Sequence, residues 1–254
     1  MDLGGKVALV TGAGRRLGYA IALALAEGGA DLVLHVHTSS GEEIAQEVTA
    51  LGRRAFVLRA DLSQVAEARR LSQAALEVAG RVDVLVNNAS VFLPTPLSTL
   101  TVKAWQTTVR TNLTAPFVLA LVLGRTMRAH GCGKIVQLGD WSGMRPLPGY
   151  LPYCVSKGGL YTLTQVLAKA LAPQVQVNSV APGPVLPPTY YDAAARRALS
   201  DRTPLRRLGE TADVVRAVRF LVEAAEFVTG TTYMVDGGWL ASVAGGTGTS
   251  VWLV

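Results

Sequence analysis

The chain has 254 residues, half of them hydrophobic, and a formal net charge of +6. This length allows one large α/β domain or two small ones, and the apolar half supplies a sizeable core. No apolar run is long enough for a membrane span, and no export signal precedes the first strand-like run. The arginines are scattered rather than clustered with aromatic residues, which argues against nucleic-acid binding. Cys132 and Cys154 show no metal-ligand spacing, so we expect a reduced, cytoplasmic protein without a metal site.

Strand-like apolar runs alternate with helix-length periodic segments along the chain. The predicted strands are 7–11, 32–36, 55–59, 82–86, 134–138, 175–180 and 232–235. The predicted helices are 17–27, 42–51, 64–78, 102–108, 113–128, 155–171 and 211–222. This alternation predicts parallel βαβ units in a Rossmann-type, doubly wound α/β sheet of about seven strands.

Two segments break this rhythm, and nothing divides the chain into separate domains. We therefore predict a single domain over residues 1–240. The stretch 182–207 contains a cluster of prolines and predicts a long loop over the site, because loops of that length in a compact domain are usually functional. Residues 241–254 form a Gly/Ser/Thr-rich tail that ends in an apolar segment.

A glycine-rich turn follows the first predicted strand and opens the next helix. It reads Thr11-Gly12-Ala13-Gly14-Arg15-Arg16-Leu17-Gly18. Glycines let the backbone approach a pyrophosphate, and the helix offers that anion its N-terminal N–H groups and the positive end of its dipole. An ordinary strand–helix turn is the alternative, but the position after a strand near the N-terminus is the context that a dinucleotide site requires.

The second predicted strand ends in His35-Val36-His37-Thr38-Ser39-Ser40. NAD enzymes usually carry an acidic residue here for the ribose 2′-hydroxyl, whereas Asp31 lies at the other end of this strand. A 2′-phosphate would instead meet Arg16, His37, Thr38 and Ser39, whose guanidinium and hydroxyl groups can bond it. The segment therefore predicts NADP(H) as cofactor.

A tyrosine and a lysine lie four residues apart in Tyr153-Cys154-Val155-Ser156-Lys157. This spacing places both on one face of a helix. A nearby ammonium favours the phenolate, so we expect a lowered tyrosine pKa and a usable acid/base. The motif opens the helix after the fifth strand, at the same edge of the sheet as the glycine turn.

Taken together, these motifs resemble the short-chain dehydrogenase/reductase family over nearly the whole chain. The residues that carry the resemblance are the Thr11–Gly18 turn, Asp61-Leu62, Asn87-Asn88-Ala89, Asn112, Tyr153 with Lys157, Pro182-Gly183 and Asp236-Gly237-Gly238. The resemblance implies that Asn112 holds the lysine through a water, and that the tyrosine donates a proton while nicotinamide delivers hydride.

The resemblance also implies a cofactor site and an assembly. The implied cofactor residues are Gly12, Gly14, Arg16, Leu17, Gly18, His37, Thr38, Ser39, Asp61, Leu62, Asn88, Ala89, Ser90, Tyr153, Lys157, Pro182, Gly183 and Val185. The implied assembly is a homotetramer with the 155–171 helix and the C-terminal strand region at its interfaces. We expect the apolar tail at 251–254 to pack on a neighbouring subunit.

Four departures from the family pattern narrow the resemblance to its pteridine reductase branch. Aspartate stands at Asp140, thirteen residues before Tyr153, where most members have serine. The other three are Arg16 and Ser90 in place of glycines, and Leu186-Pro187-Pro188 in place of a threonine. The segments 34–37 and 87–97 also resemble that branch.

The branch implies roles for the substrate-site residues Ser90, Phe92, Asp140, Tyr150 and Tyr153. A pterin would stack between nicotinamide and Phe92, with Tyr150 lining the pocket and Ser90 bonding the pterin or cofactor phosphates. Asp140 would act with Tyr153, Lys157 and Asn112 as the catalytic set. Reduction of a pterin C=N bond needs a proton at a ring nitrogen, which suits a carboxyl relay, and the flat ring needs an aromatic face. A helix cap for Asp140 and core packing for Phe92 are the structural alternatives.

Two other functions stay open. A carbonyl reductase, such as a 3-oxoacyl-[acyl-carrier-protein] reductase, would suit the basic surface because its carrier protein is acidic, but serine rather than aspartate at position 140 would favour it. A non-catalytic NADPH-binding module is the alternative from a different class. The complete set of Asn112, Tyr153 and Lys157 argues against that module. A small, pterin-like molecule is the expected substrate.

Overall fold

The computed structural model describes residues 1–187 and 191–242. Seven parallel strands form one sheet in the order β3-β2-β1-β4-β5-β6-β7. The strands are β1 Val7–Thr11, β2 Asp31–Val36, β3 Ala55–Arg59, β4 Val84–Asn87, β5 Gly133–Leu138, β6 Val175–Pro182 and β7 Thr232–Val235. The predicted single-domain Rossmann-type α/β fold is confirmed.

The described residues form eight α-helices around these strands. They are α1 Arg16–Glu27, α2 Glu42–Ala50, α3 Val65–Ala79, α4 Val102–Val109, α5 Ala115–Ala129, α6 Leu151–Leu171, α7 Ala193–Arg202 and α8 Thr211–Arg219. π-helical turns follow α4 at Arg110–Thr114 and α8 at Phe220–Ala224, and a short 3₁₀ turn spans Trp141–Gly143. No helix of the described residues is long and apolar enough to cross a membrane.

Alternation along the strands creates two apolar layers. In β1, Ala8 and Val10 pack with α1 and α8 on one face of the sheet. Val7 and Leu9 pack with α3, α5 and α6 on the other face. Burial on both faces explains why the strands are continuous apolar runs rather than alternating ones.

The sheet order reverses between β1 and β4, which pair through Val10 and Val86. A crevice outside the carboxyl ends of the strands forms at such a switch point, and doubly wound sheets bind their ligands there. The predicted glycine turn and the 87–89 segment both lie at this edge.

The structure departs from the predicted elements at three places, beyond shifts of up to three residues at other element ends. The predicted loop at 182–207 contains helix α7, whose N-terminus is capped by Asp192 through a 2.7 Å bond from the Ala195 N–H. Helix α6 begins at Leu151 rather than at residue 155, so Tyr153 lies within its first turn. The two helices predicted at 102–108 and 113–128 form one helical rod through the π-helical turn. The tail beyond Ser242 lies outside the described residues.

Candidate active site

The glycine turn is anchored by a buried histidine. The Gly12 N–H donates to Nδ1 of His35 at 3.1 Å, and Nε2 of His35 lies 3.1 Å from the carbonyl oxygen of Ala60. Because Nδ1 accepts, Nε2 carries the proton and donates to Ala60. Burial lowers the pKa of His35 to about 4, so the ring is neutral near pH 7. His35 therefore packs at the end of β2 and holds the glycine turn.

The N-terminus of helix α1 is open to an anion. Among the described residues no side chain caps it, and its first turn contains no acidic residue. By contrast, the Thr101 side chain caps α4 by accepting from the Ala104 N–H at 3.1 Å. The free N–H groups and dipole of α1 therefore remain available to a phosphate group.

The end of β4 is joined to the glycine turn by a compact network. Thr11 Oγ1 accepts from the N–H groups of Asn88 and Ala89 at 2.9 and 3.0 Å, and the Asn88 amide donates to the Thr11 carbonyl at 2.8 Å. A Cβ atom at Gly18 would lie 2.4 Å from the nitrogen of this amide, so any residue larger than glycine would collide with it. The neighbouring Asn87 amide, which is 3% exposed, has no hydrogen-bond partner among the described residues.

The β2–α2 loop lies directly against the glycine turn. A Cβ at Gly14 would sit 2.1 Å from Oγ of Ser39, so only glycine allows this approach. His37 and Thr38 are exposed beside it. Two further predicted residues follow β3: the Asp61 carboxylate accepts from the Ser63 N–H and hydroxyl, which lowers its pKa despite an opposing effect of burial, and Leu62 is buried.

The two arginines near this region take different positions. Arg16, predicted to meet a 2′-phosphate, donates from Nη2 to the carbonyl of Leu186 at 2.7 Å, across the crevice. Arg59 donates instead to the carbonyls of His37 and Ser39. Sequence reasoning missed Arg59, although its place at the end of the strand beside β2 is a usable signal.

Tyr153, Lys157 and Asp140 meet beneath the crevice. Tyr153 is 6% exposed, and its phenol has the Asp140 carboxylate as a hydrogen-bond partner. Lys157 Nζ donates to the Leu138 carbonyl at 2.6 Å and lies 5.6 Å from the centroid of the Tyr153 ring. Burial lowers the pKa of Lys157 to about 8, against a smaller opposing effect of Asp140.

The expectation that the pKa of Tyr153 is lowered is wrong. Burial and then the charge and hydrogen bond of Asp140 raise the pKa of Tyr153 well above its usual value. The ammonium of Lys157 does not outweigh them. The phenol is therefore protonated at neutral pH, and it holds its proton more tightly than a free tyrosine does.

Asp140 is held in place from two sides. Its carboxylate accepts from the Ser142 N–H at 2.8 Å, so it does cap the short 3₁₀ turn. Its backbone N–H donates to the hydroxyl of Tyr161 at 3.1 Å, and that hydroxyl donates to the Asp140 carbonyl. Tyr161, which sequence reasoning missed, therefore fixes the backbone of Asp140.

Asn112 lies in the π-helical turn, an irregularity that often marks functional sites. Its side-chain carbonyl accepts from the Val91 N–H at 2.8 Å, and its amide donates to the Val91 carbonyl at 2.9 Å and to Ser156 Oγ at 3.3 Å. The contacts show that Asn112 joins helix α6 to the loop that carries Ser90 and Phe92.

Phe92 takes part in an aromatic cluster at the rim of the crevice. Its ring stacks on Tyr150 with centroids 4.5 Å apart and meets the Tyr153 ring edge-on at 4.6 Å. The Thr95 N–H donates to the Gly149 carbonyl at 2.6 Å and ties the two loops together. Phe92 is 44% exposed, so simple core packing does not describe it. Ser90, also exposed, lies on the same loop.

The opposite wall is the segment after β6. A Cβ at Gly183 would lie 2.5 Å from Cβ of Asp236, which explains the glycine after Pro182. Val185 bridges to Gly209. Asp236 accepts from the N–H groups of Gly238 and Leu240. The sequence-predicted residues therefore lie at the carboxyl edge of the sheet, which carries both the open N-terminus of α1 and the segment of Asp140.

These features fit a nicotinamide dinucleotide. The uncapped N-terminus of α1 suits the pyrophosphate, the turn and the 37–39 loop suit the adenosine half, and the unpaired Asn87 amide lies between them and Tyr153. No cluster that could hold a metal ion exists within the described ranges.

Comparisons with known proteins agree with this geometry. Residues 12–240 match the family model described as enoyl-(acyl carrier protein) reductase. A 3-oxoacyl-[acyl-carrier-protein] reductase of Synechocystis sp. is 35% identical over 92% of the chain and 96% of that protein.

Two solved structures superpose closely. The blue fluorescent protein from a metagenomic library, in complex with NADPH, is 34% identical with a TM-score of 0.86 over 94% of the chain and 99% of its own. FolM, the alternative dihydrofolate reductase 1 of Brucella canis, complexed with NADP, is 32% identical with a TM-score of 0.88 over 96% and 98%. The protein belongs to the short-chain dehydrogenase/reductase family. It is an oxidoreductase that uses a nicotinamide cofactor.

Proposed function

We propose that the protein is an NADPH-dependent reductase of a pterin or dihydropteridine, including dihydrofolate-type rings. The observation that carries this proposal is the Asp140 carboxylate at the Tyr153 phenol, beside the aromatic rim formed by Phe92 and Tyr150. The resemblance to FolM supports it as well.

Each of these groups has a role in such a reaction. The bound cofactor supplies the hydride. The phenol of Tyr153, which is protonated at neutral pH, moves a proton toward a ring nitrogen, directly or through Asp140. The Lys157 ammonium lies 5.6 Å from the centroid of the Tyr153 ring. Asn112 bonds Val91 in the loop that carries Phe92 and so fixes that loop. Phe92 offers its face to the flat ring, and Ser90 bonds its polar edge or the cofactor phosphates.

The cofactor is NADP(H) in this proposal. The residues that we assign to it are Gly12, Gly14, Arg16, Leu17, Gly18, His37, Thr38, Ser39, Asp61, Leu62, Asn88, Ala89, Ser90, Tyr153, Lys157, Pro182, Gly183 and Val185. The absence of a carboxylate in 35–40 supports the choice, because a carboxylate would repel a 2′-phosphate.

A 3-oxoacyl-[acyl-carrier-protein] reductase is the second candidate. The Synechocystis relative carries that activity in its name, and the family description names an acyl carrier protein substrate. The aspartate at position 140, where such carbonyl chemistry needs a neutral hydroxyl, argues against this candidate.

We also propose a cytoplasmic homotetramer, with one domain over 1–240, a substrate segment at 182–207 and a C-terminal tail that packs on a neighbour. Half-exposed apolar residues on α5 and α6, Phe117, Val155 and Val166, support an interface on these two helices. Light scattering on the purified protein tests this assembly, and a monomer would contradict it.

The substrate proposal is tested by following NADPH oxidation with dihydrobiopterin, dihydromonapterin and dihydrofolate beside an acetoacetyl thioester. We expect turnover of a pterin. Turnover of the thioester alone would make the second candidate the function.

A further inference from the structure

Arg59 occupies an unusual position at the end of β3. Its guanidinium donates from Nη1 to the His37 carbonyl at 2.5 Å and from Nη2 to the Ser39 carbonyl at 3.0 Å. The side chain is exposed and, within the described part of the chain, forms no salt bridge. The positively charged guanidinium is therefore bonded to two backbone carbonyls, and no carboxylate of the described residues neutralises it.

The loop that Arg59 holds is part of the cofactor crevice. Ser39 fills the space where Gly14 would carry a Cβ, so residues 37–39 lie in contact with the glycine turn. In a doubly wound sheet, the ribose of a dinucleotide lies at the end of this second strand. Arg59 therefore stands next to the point where NADPH and NADH differ.

The donor count of the guanidinium leaves room for a ligand. Arginine has five N–H donors in a planar fork, and Arg59 uses two of them on carbonyls. The Arg16 guanidinium, in contrast, is held on Leu186 at the other side of the crevice. Thr38 and Ser39 add hydroxyl donors on the same loop.

We propose that Arg59 is the residue that selects NADPH over NADH, by binding the ribose 2′-phosphate with the donors that its two carbonyl bonds leave free. The carbonyl bonds position the guanidinium in advance, so little side-chain freedom is lost when the phosphate binds. This inference rests on the proposed use of NADP(H), and it does not depend on which substrate is reduced.

The test is calorimetric binding of 2′,5′-ADP and of 5′-AMP to the full-length protein and to Arg59→Gln, Arg59→Lys and Arg54→Gln. Arg54 is the matched control, because it lies just before the other end of β3 and pairs with Asp31 at 2.7 Å. Charged hydrogen bonds to phosphate predict that Arg59→Gln binds 2′,5′-ADP about tenfold to a hundredfold more weakly, with 5′-AMP binding within about twofold. Arg59→Lys should recover part of the loss, and Arg54→Gln should bind both ligands like the parent protein.

Other binding results would contradict either the role of Arg59 or the assignment of NADP(H). An equal loss of both ligands would show that Arg59 only supports the loop and would overturn the proposal, as would unchanged binding of 2′,5′-ADP. If the parent protein itself did not prefer 2′,5′-ADP to 5′-AMP, the NADP(H) assignment would fail as well. Pterin turnover is measured separately, so its failure would leave the result for Arg59 intact.

Discussion

Phe92 and Tyr150 lie face to face, with ring centroids 4.5 Å apart and 6° between their planes. Because the two rings come from different loops, this stack closes the rim of the crevice on the side of Tyr153. A flat heterocycle that enters the crevice meets a ready aromatic surface.

Replacing Phe92 should therefore weaken substrate binding more than cofactor binding. We expect Phe92→Ala to raise the KM for a dihydropterin about tenfold, since an aromatic pair contributes roughly 0.5–1.5 kcal/mol beyond area burial. The Kd for NADPH should stay within about twofold. Phe227→Ala, at a fully exposed phenylalanine, is the control and should change neither constant. An unchanged KM in Phe92→Ala would remove the stacking role.

Asp140 can be neutralised without losing its structural bond. Asparagine can still accept from the Ser142 N–H, so Asp140→Asn should keep the melting temperature close to that of the parent. We expect kcat for pterin reduction to fall at least about a hundredfold, because general acid–base groups contribute factors of about 10²–10⁴. Retention of kcat in this variant would restrict Asp140 to capping.

Asp140→Ser gives a sharper comparison, because it creates the residue that most members of the family carry. We expect it to lose pterin turnover and to gain measurable reduction of an acetoacetyl thioester. Steady-state assays with both substrates decide between this exchange of activities and a uniform loss, which would indicate damage to the site.

His35 makes stability depend on pH in the acidic range. Its pKa is lowered to about 4 by burial, below the ordinary value of 6.5, so the unfolded chain takes up the proton first as pH falls. The contribution of His35 is therefore fully present above pH 6.5 and is lost progressively down to about pH 4. A difference of this size corresponds to about 3 kcal/mol.

Urea unfolding of the parent and of His35→Gln between pH 4 and 7 measures this effect. The free-energy difference between the two should shrink as pH falls, because glutamine does not titrate. His130→Gln, at an exposed histidine, should follow the parent curve. Parallel curves for the parent and His35→Gln would mean that the ring is not held neutral.

Arg16 joins the glycine turn to the segment that follows β6. It donates to the carbonyl of Leu186, and both residues have positive φ angles of 53°, a region that residues other than glycine seldom adopt. We expect Arg16→Ala to speed cleavage of the 183–207 segment by chymotrypsin about fivefold, as a charged hydrogen bond of roughly 1–2 kcal/mol is lost. Arg15→Ala is the control, and equal rates in both variants would contradict the link.

The sequence predicted the strands better than the segments between them. β1, β3 and β7 have the predicted bounds, because each is a short apolar run with glycine or charged residues close to both ends. Helix α7 was missed because it presents no apolar face and so has no periodic pattern. Helix α6 begins early because Pro152 stands near its first residue, where a missing N–H costs nothing.

The site could be predicted as a set of residues but not as a set of contacts. Spaced motifs identified Tyr153, Lys157 and Asp140 correctly as neighbours. The bonds from Arg59 to His37 and from Arg16 to Leu186 join residues 22 and 170 positions apart, and no local pattern records them. The raised pKa of Tyr153 likewise depends on its burial, which spacing along one helix cannot reveal.

Helix α7 lies at the surface of the protein, which affects the substitutions that the chain tolerates. All ten of its residues, which lie within the described part of the chain, are exposed or half-buried, and its C-terminal Arg202 rests on the Trp239 ring at 5.1 Å. Substitutions on such a surface change folding free energy little. The segment can therefore vary freely while the core and the surroundings of Tyr153 stay constant. Libraries randomised over 193–202 should yield folded, active variants at high frequency, which makes this helix the natural starting point for redirecting the enzyme to new substrates.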